Sequence, residues 1–312
     1  MKIAIVKLSA LGDIVQAMIV LQFIKKYKQA IEVDWVVEEQ YKELLYFHPD
    51  INKVLVVNLK NAKNNKSLNM LYKELKKVRN FGPYDLVIDM QGLIKSAIIS
   101  GLIPSKSTLG FERSSARESL ASIFYNKTFK FGYHENVIER NLALVSFALG
   151  INVSKQEIKH KTFFLHSGDK HLNIKLSNVK KNILLIPGAS HKAKCYPVSN
   201  LVELTTLIDA NFLTIWGSQK EKKMTEEIKV QAANISVCDK LSIDSLKLLI
   251  SQMDLVIGPD TGPTHMAWAL NIPSITIFGP TPGYRNTFIT RINKIIESDS
   301  FVNPSKIDKF DD

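Results

Sequence analysis

Short runs of apolar, mostly branched residues alternate along this chain with longer stretches of helical periodicity. The runs are KIAIV (2–6), VDWVV (33–37), KVLVV (53–57) and DLVID (85–89), then NILLIP (182–187), FLTIW (212–216), DLVIG (254–258) and SITIF (274–278). Runs so short and so continuously apolar suit strands buried on both faces of a parallel sheet. Helical patterns fill the intervals, among them 12–28, 68–79, 134–149, 197–210 and 262–270. Alternation repeated this often predicts an α/β, doubly wound architecture.

The alternation pauses once. Residues 151–181 are polar and basic, with one apolar patch at 162–165, and a new strand begins at Asn182. The predicted organisation is a Rossmann-like domain over 1–165, a linker over 166–181, a second Rossmann-like domain over 182–296 and a polar tail over 297–312. Two such halves imply a cleft between them, with ligands outside the carboxyl ends of the strands. Residues 59–80 are rich in Lys and Asn. Their first part reads as a mobile loop, the rest as an amphipathic helix with a solvated basic face.

Composition adds a direction to the charge. The 312 residues are 45% hydrophobic and 23% charged, as in a soluble globular protein of two domains. The net charge of +11 is uneven: residues 1–165 hold 24 Lys and Arg against 15 Asp and Glu, and the remainder 17 against 15. The first half therefore faces an anion (nucleic acid, a membrane surface or an acidic small substrate) or is basic for solubility alone. Two cysteines, Cys195 and Cys238, make no disulfide framework, no CxxC and no zinc spacing. MKIAIVK is too short for a signal peptide, and no apolar segment approaches the ~20 residues that span a bilayer. A reducing, cytoplasmic location with peripheral membrane contact is expected. No G-x-G-x-x-G follows a strand and no P-loop is present, which argues against NAD dehydrogenases and P-loop enzymes.

Candidate chemistry gathers where strands meet helices. In KLSALGDIVQA (7–17), Asp13 begins a helix beyond Ser9 and Gly12. It is either a first-turn carboxylate answering free amides and the helix dipole, or a general base facing the cleft. In GPDTGPTHMAWAL (258–270), Asp260, Thr261 and Gly262 form a turn whose free amides suit phosphate oxygens, with Thr264 and His265 one turn on. PGASHKAKCYP (187–197) offers Gly188, Ser190, Lys192 and Lys194, and either lysine is placed to neutralise a diphosphate or simply to be solvated. DMQGLIKSAIISGLI (89–103) brings Gln91, Gly92, Lys95 and Ser96 to an ordinary βα turn or to an anionic acceptor. FERSSARESLASIFYN (111–126) carries Arg113 and Arg117, which need a partner near a helix start: an anionic ligand, or Glu112 and Glu118. FGPTPGYRN (278–286) reads as a rigid turn as readily as a site. No acidic cluster asks for a metal.

Taken together, KLSALGDIVQA, VDWVVEE (33–39), DLVIDMQGLIKSA (85–97), ARESLASIFYN (116–126), GPDTGPTHMAWAL and FGPTPGYRN resemble the heptosyltransferases of glycosyltransferase family 9 over nearly the whole chain. The 85–97 and 116–126 segments are most similar to the heptosyltransferase I branch, which adds the first heptose of the lipopolysaccharide inner core. The resemblance implies a GT-B fold, two Rossmann-like domains around a deep cleft, and no cofactor is expected. It implies ADP-L-glycero-β-D-manno-heptose as donor and Kdo-lipid A as acceptor, on the cytoplasmic face of the inner membrane, with inversion at the anomeric carbon. Asp13 would be the base, and Lys194 would neutralise the leaving ADP. The family's donor site falls on Ser190, Lys194, Glu221, Asp260, Thr261, Gly262 and His265. Its loop Thr-Thr pair falls on Ala189 and Ser190, so one hydroxyl is missing. Ser9, Gly12, Lys60, Lys63, Gln91, Lys95, Arg113 and Arg117 would face the acceptor. Other readings are a different GT-B sugar transferase, a nucleotide-sugar epimerase, or a non-catalytic binder of anionic polymer. No RNA- or DNA-binding motif supports a nucleic-acid partner. The tail ESDSFVNPSKIDKFDD is polar and broken by Pro304, so the helix that usually crosses back to the first domain is not expected.

Overall fold

The computed structural model describes residues 1–169 and 171–299. Most of the polar tail, from 300 onward, lies outside them. The chain divides into two compact units, one over Met1–Lys161 and one that begins at Thr162.

The first unit is built on a parallel sheet of β1 (Lys2–Val6), β2 (Glu32–Glu38), β3 (Lys53–Val57), β4 (Leu86–Asp89), β5 (Thr108–Phe111) and β6 (Lys127–Phe129), in the order β3-β2-β1-β4-β5-β6. Central β1 pairs Ile5 with Trp35 on one side and with Ile88 on the other. It is buried from Ile3 to Val6, which is why its sequence is apolar without alternation. Val78 and Ile99 cover the face that carries Ala4, Val6, Val36 and Val87. They belong to helices Leu68–Val78 and Ile94–Leu102. The helix Leu11–Tyr27 is buried without a break from Ile14 to Leu21 and packs on the helix Val137–Leu149.

In the second unit, β7 (Asn182–Leu185), β8 (Asn211–Thr214), β9 (Ile235–Val237), β10 (Leu255–Pro259), β11 (Ser274–Phe278) and β12 (Asn293–Glu297) lie in the order β12-β11-β10-β7-β8-β9, again all parallel. Counted from its own first strand, this repeats the order of the first sheet. Ile183, Leu185, Phe212, Ile235 and Ile257 form its core.

All eight expected strands form. Four short ones, β5, β6, β9 and β12, were not foreseen. Three of these end the sheets, where half-exposed residues leave no continuous apolar run. In β5, Gly110 interrupts the run, because a Cβ there would overlap the Tyr125 ring. The expected mobile loop at 59–66 is instead largely a short helix, Leu59–Asn64, whose cap is the Asn58 side chain accepting from the Asn61 amide. The stretch 166–181 is tied to the second unit: the Gly168 and Asp169 amides donate to Asp244 Oδ2 and the Ser177 amide to Asn182 Oδ1. Among the described residues no helix is long and apolar enough to cross a membrane.

Candidate active site

Strand order locates the chemistry. In each sheet the chain leaves the two central strands toward opposite sides, opening a crevice at their carboxyl ends. Residues 7–13 follow β1 and residues 90–95 follow β4, at the first crevice. Residues 186–194 follow β7 and residues 260–265 follow β10, at the second. Four motifs far apart in sequence thus occupy two equivalent places.

At the first crevice Asp13 lies in the opening turn of its helix, and its Oδ2 accepts from the Ala10 amide at 3.0 Å. That bond orients the carboxylate and leaves it half-exposed. Gly12 is the second residue of the helix, and the turn precedes it. The sharp turn at this crevice is in the other loop, where Gly92 has φ +68°. Gln91 Oε1 accepts from the Leu8 and Ser9 amides at 2.9 and 3.1 Å, so it holds the Asp13 loop itself. Behind it, Asp89 Oδ1 accepts from the Gln91 and Gly92 amides, and Asp89 Oδ2 from the Tyr125 hydroxyl at 2.8 Å. Burial pushes the Asp89 carboxyl up, although each of these donors opposes that shift. Glu118 Oε2 accepts the Ile94 amide at 2.6 Å, which serves the start of the helix Ile94–Leu102.

Positive charge surrounds the crevice. Lys7 is buried, and its Nζ donates to the Met90 carbonyl at 3.1 Å. Burial lowers its pKa, with Asp13 and Asp89 pulling it back up and Arg140 and Arg117 adding to the fall. Exposed Lys95 reaches Ser9 Oγ at 3.3 Å. Ser9, Asp13, Gln91 and Lys95 are therefore brought together. Lys60 stands a little apart, its Nζ on Gln40 Oε1 and its amide on buried Glu38. Lys63 and Arg113 are exposed and hold no bond to these groups. Lys7 was missed because a lysine closing an apolar run reads as the end of a strand.

The second crevice centres on Asp260, whose side chain is only 8% exposed. Its Oδ1 meets His265 Nε2 at 2.9 Å, and its Oδ2 accepts from Lys194 Nζ at 3.1 Å, Thr281 Oγ1 at 3.1 Å and Asn286 Nδ2 at 3.3 Å. Burial alone would raise this carboxyl, but His265 and Lys194 outweigh it and hold it far below the usual carboxylate range. Asp260 is thus a hub that aims other groups. Of the two loop lysines, Lys194 turns inward and Lys192 is exposed. Thr261 caps the helix Gly262–Ala269 without a side-chain capping bond, and, because Pro263 carries no amide hydrogen, the donors that open this turn are the Thr261 hydroxyl and the Gly262 and Thr264 amides. Glu221 Oε2 accepts from the Gly217 and Ser218 amides, closing a capping box with Ser218, while the rest of its carboxylate lies against Gly188. Ser190 is exposed at the loop rim. Thr281 and Asn286 were missed: FGPTPGYRN carries no charge pattern that reports an inward-facing hydroxyl and amide.

The family model for glycosyltransferase family 9 (heptosyltransferase) matches residues 70–306. The chain belongs to glycosyltransferase family 9. Lipopolysaccharide heptosyltransferase 1 of Campylobacter coli is 42% identical over 326 aligned positions, covering 100% of this chain and 94% of the relative. Among solved structures, Escherichia coli heptosyltransferase WaaC with ADP superposes with a TM-score of 0.81 at 23% identity, over 96% of this chain and 93% of that one. The same enzyme with ADP-2-deoxy-2-fluoro heptose gives 0.78 at 24%, over 95% and 93%. The fold of this family 9 glycosyltransferase is accordingly GT-B. Membership sets aside a non-catalytic polymer binder.

Proposed function

We propose that the enzyme transfers L-glycero-D-manno-heptose from ADP-heptose to the Kdo 5-hydroxyl of Kdo-lipid A, with inversion. The supporting observation is the division of chemistry between equivalent crevices: a carboxylate among cations after β1 and β4, and an anion-binding array aimed by Asp260 after β7 and β10. The similarity to lipopolysaccharide heptosyltransferase 1 of C. coli supports the sugar and the pathway.

In this reading Asp13 takes the proton of the acceptor hydroxyl as its oxygen bonds to the anomeric carbon. The carbon–oxygen bond to the diphosphate breaks on the opposite face, and its electron pair leaves with ADP. Lys194, the Thr261 hydroxyl and the amides that open the following helix receive the charge that develops there. His265 and Asp260 hold Lys194 in place. Glu221, with one carboxylate oxygen spent on its helix, offers the other to a sugar hydroxyl. Lys7, Lys95 and Arg117 attract the carboxylates and phosphates of the acceptor, and the acceptor's acyl chains imply peripheral work at an anionic membrane surface on the cytoplasmic side.

Mass spectrometry of ADP-heptose incubated with Kdo2-lipid A tests this directly. Wild type adds one heptose, whereas Asp13→Ala adds none and binds ADP within about twofold of wild type by calorimetry. Most of the turnover surviving in Asp13→Ala would dismiss the base. ADP binding by wild type without any heptose increment would dismiss the acceptor.

A further inference from the structure

One side of the first unit is greasier than its fold requires. The helix Leu68–Val78 packs on Ile94–Leu102, which packs in turn on the 3₁₀ turn Ser119–Phe124. These elements form one layer, so whatever they expose points away from the sheet. Leu68 is 82% exposed, Tyr72 65%, Leu120 57% and Ile123 72%, and Leu71 and Phe124 are each 36% exposed. Single exposed apolar residues are ordinary, but six on adjacent elements of one layer make a patch.

The charge around the patch is predominantly positive. Residues 59–78 and 94–102 hold seven lysines and one glutamate. Lys63, Lys66, Lys73 and Lys76 are exposed. The nearby carboxylates are engaged by backbone amides: Glu74 accepts from the Asn58 amide, with Lys77 Nζ 3.6 Å away, and Glu118 accepts from the Ile94 amide. Apolar tips set among lysines that far outnumber the carboxylates complement a surface with anionic headgroups above an acyl layer. A protein partner with an apolar epitope has no need of so many lysines, and a nucleic acid has no use for the leucines.

We propose that this face, Leu68–Tyr72 with Leu120–Phe124, docks on an anionic lipid bilayer. The inference deepens the proposed function, because it rests on an acceptor that is itself anchored in lipid. Ile94–Leu102, the middle element, begins beside Gln91, so docking would set the Asp13 loop near the headgroups from which the acceptor sugar projects.

Sedimentation with phosphatidylglycerol-containing vesicles, against phosphatidylcholine vesicles, tests it with the full chain. The variant is Leu68→Ser/Tyr72→Ser/Ile123→Ser. The control, Leu207→Ser/Val230→Ser, removes exposed apolar residues of the second unit. Wild type and control are expected to sediment with anionic vesicles and to be released by salt, and the triple variant to partition roughly tenfold or more weakly. Triple-variant binding equal to wild type overturns the proposal, as does equal binding to neutral vesicles. Loss of self-association in the variant with unchanged vesicle binding would assign the face to a second copy. Transfer to a deacylated, water-soluble acceptor separates the two levels: it should be the same in wild type and variant. Its absence in wild type sinks the functional reading without touching the vesicle result.

Discussion

At the scale of the residue, the second crevice shows how a site can be half legible. Asp260, His265 and Lys194 are visible in sequence because charge beside a strand end is conspicuous. Their mutual bonds are not visible, and the bonds change the meaning of Asp260 from ligand contact to hub. Thr281 and Asn286 come from the turn after β11, some twenty residues on, and only the β10–β11 pairing brings them to the carboxylate. Removing a neutral donor from a buried, charged acceptor costs about 1–3 kcal/mol. Thr281→Val is therefore expected to lower the melting temperature and to weaken ADP binding, while Thr281→Ser restores both. Calorimetric titration with ADP beside thermal melts measures the pair. An unchanged ADP affinity in Thr281→Val would mean that Lys194 is held without the hub.

Among elements, the segments most similar to the heptosyltransferase I branch acquire a physical reason. The 116–126 segment sends Glu118 to the start of Ile94–Leu102 and Tyr125 to Asp89, and Asp89 fixes Gln91, which carries the Asp13 loop. Gln91 thus braces the loop of Asp13, the proposed base, as well as facing the crevice. Tyr125→Phe removes one hydroxyl from this brace and leaves the ring packed beside Gly110. Turnover is expected to fall at least several-fold with ADP affinity unchanged, since the second unit is untouched. Steady-state kinetics that showed a higher donor KM and an intact kcat would count against the brace. The central strands were legible because burial on both faces leaves an unbroken apolar run. The end strands and β5 were not, because edge exposure and the ring of Tyr125 each break that run. The helix Leu59–Asn64 has the composition of a loop, because Lys and Asn report solvation, and its cap is a bond rather than a pattern.

For the molecule as a whole, stability and activity can be read unit by unit. Lys161 is buried in the last turn of the first unit, and burial alone lowers its pKa to about 7. The unfolded chain keeps that proton to about pH 10. Between these values the unfolded state binds more protons, so the stability of the unit should rise with pH from about 7 to 10. Thermal melts of wild type are expected to rise from pH 7 to 10, and Lys161→Met is expected to flatten that rise. An equal rise in Lys161→Met would assign the pH dependence to other groups. Two sheets with the same strand order make the larger pattern. Apolar periodicity alone dictates two parallel α/β units, and local charge marks the four turns where chemistry gathers, but neither carries the strand order. Only the tertiary structure decided which of those groups meet. Parallel sheets join strands distant in the chain, so the partners of Gln91, Asp89 and Asp260 are set by strand order and register, which no local pattern records.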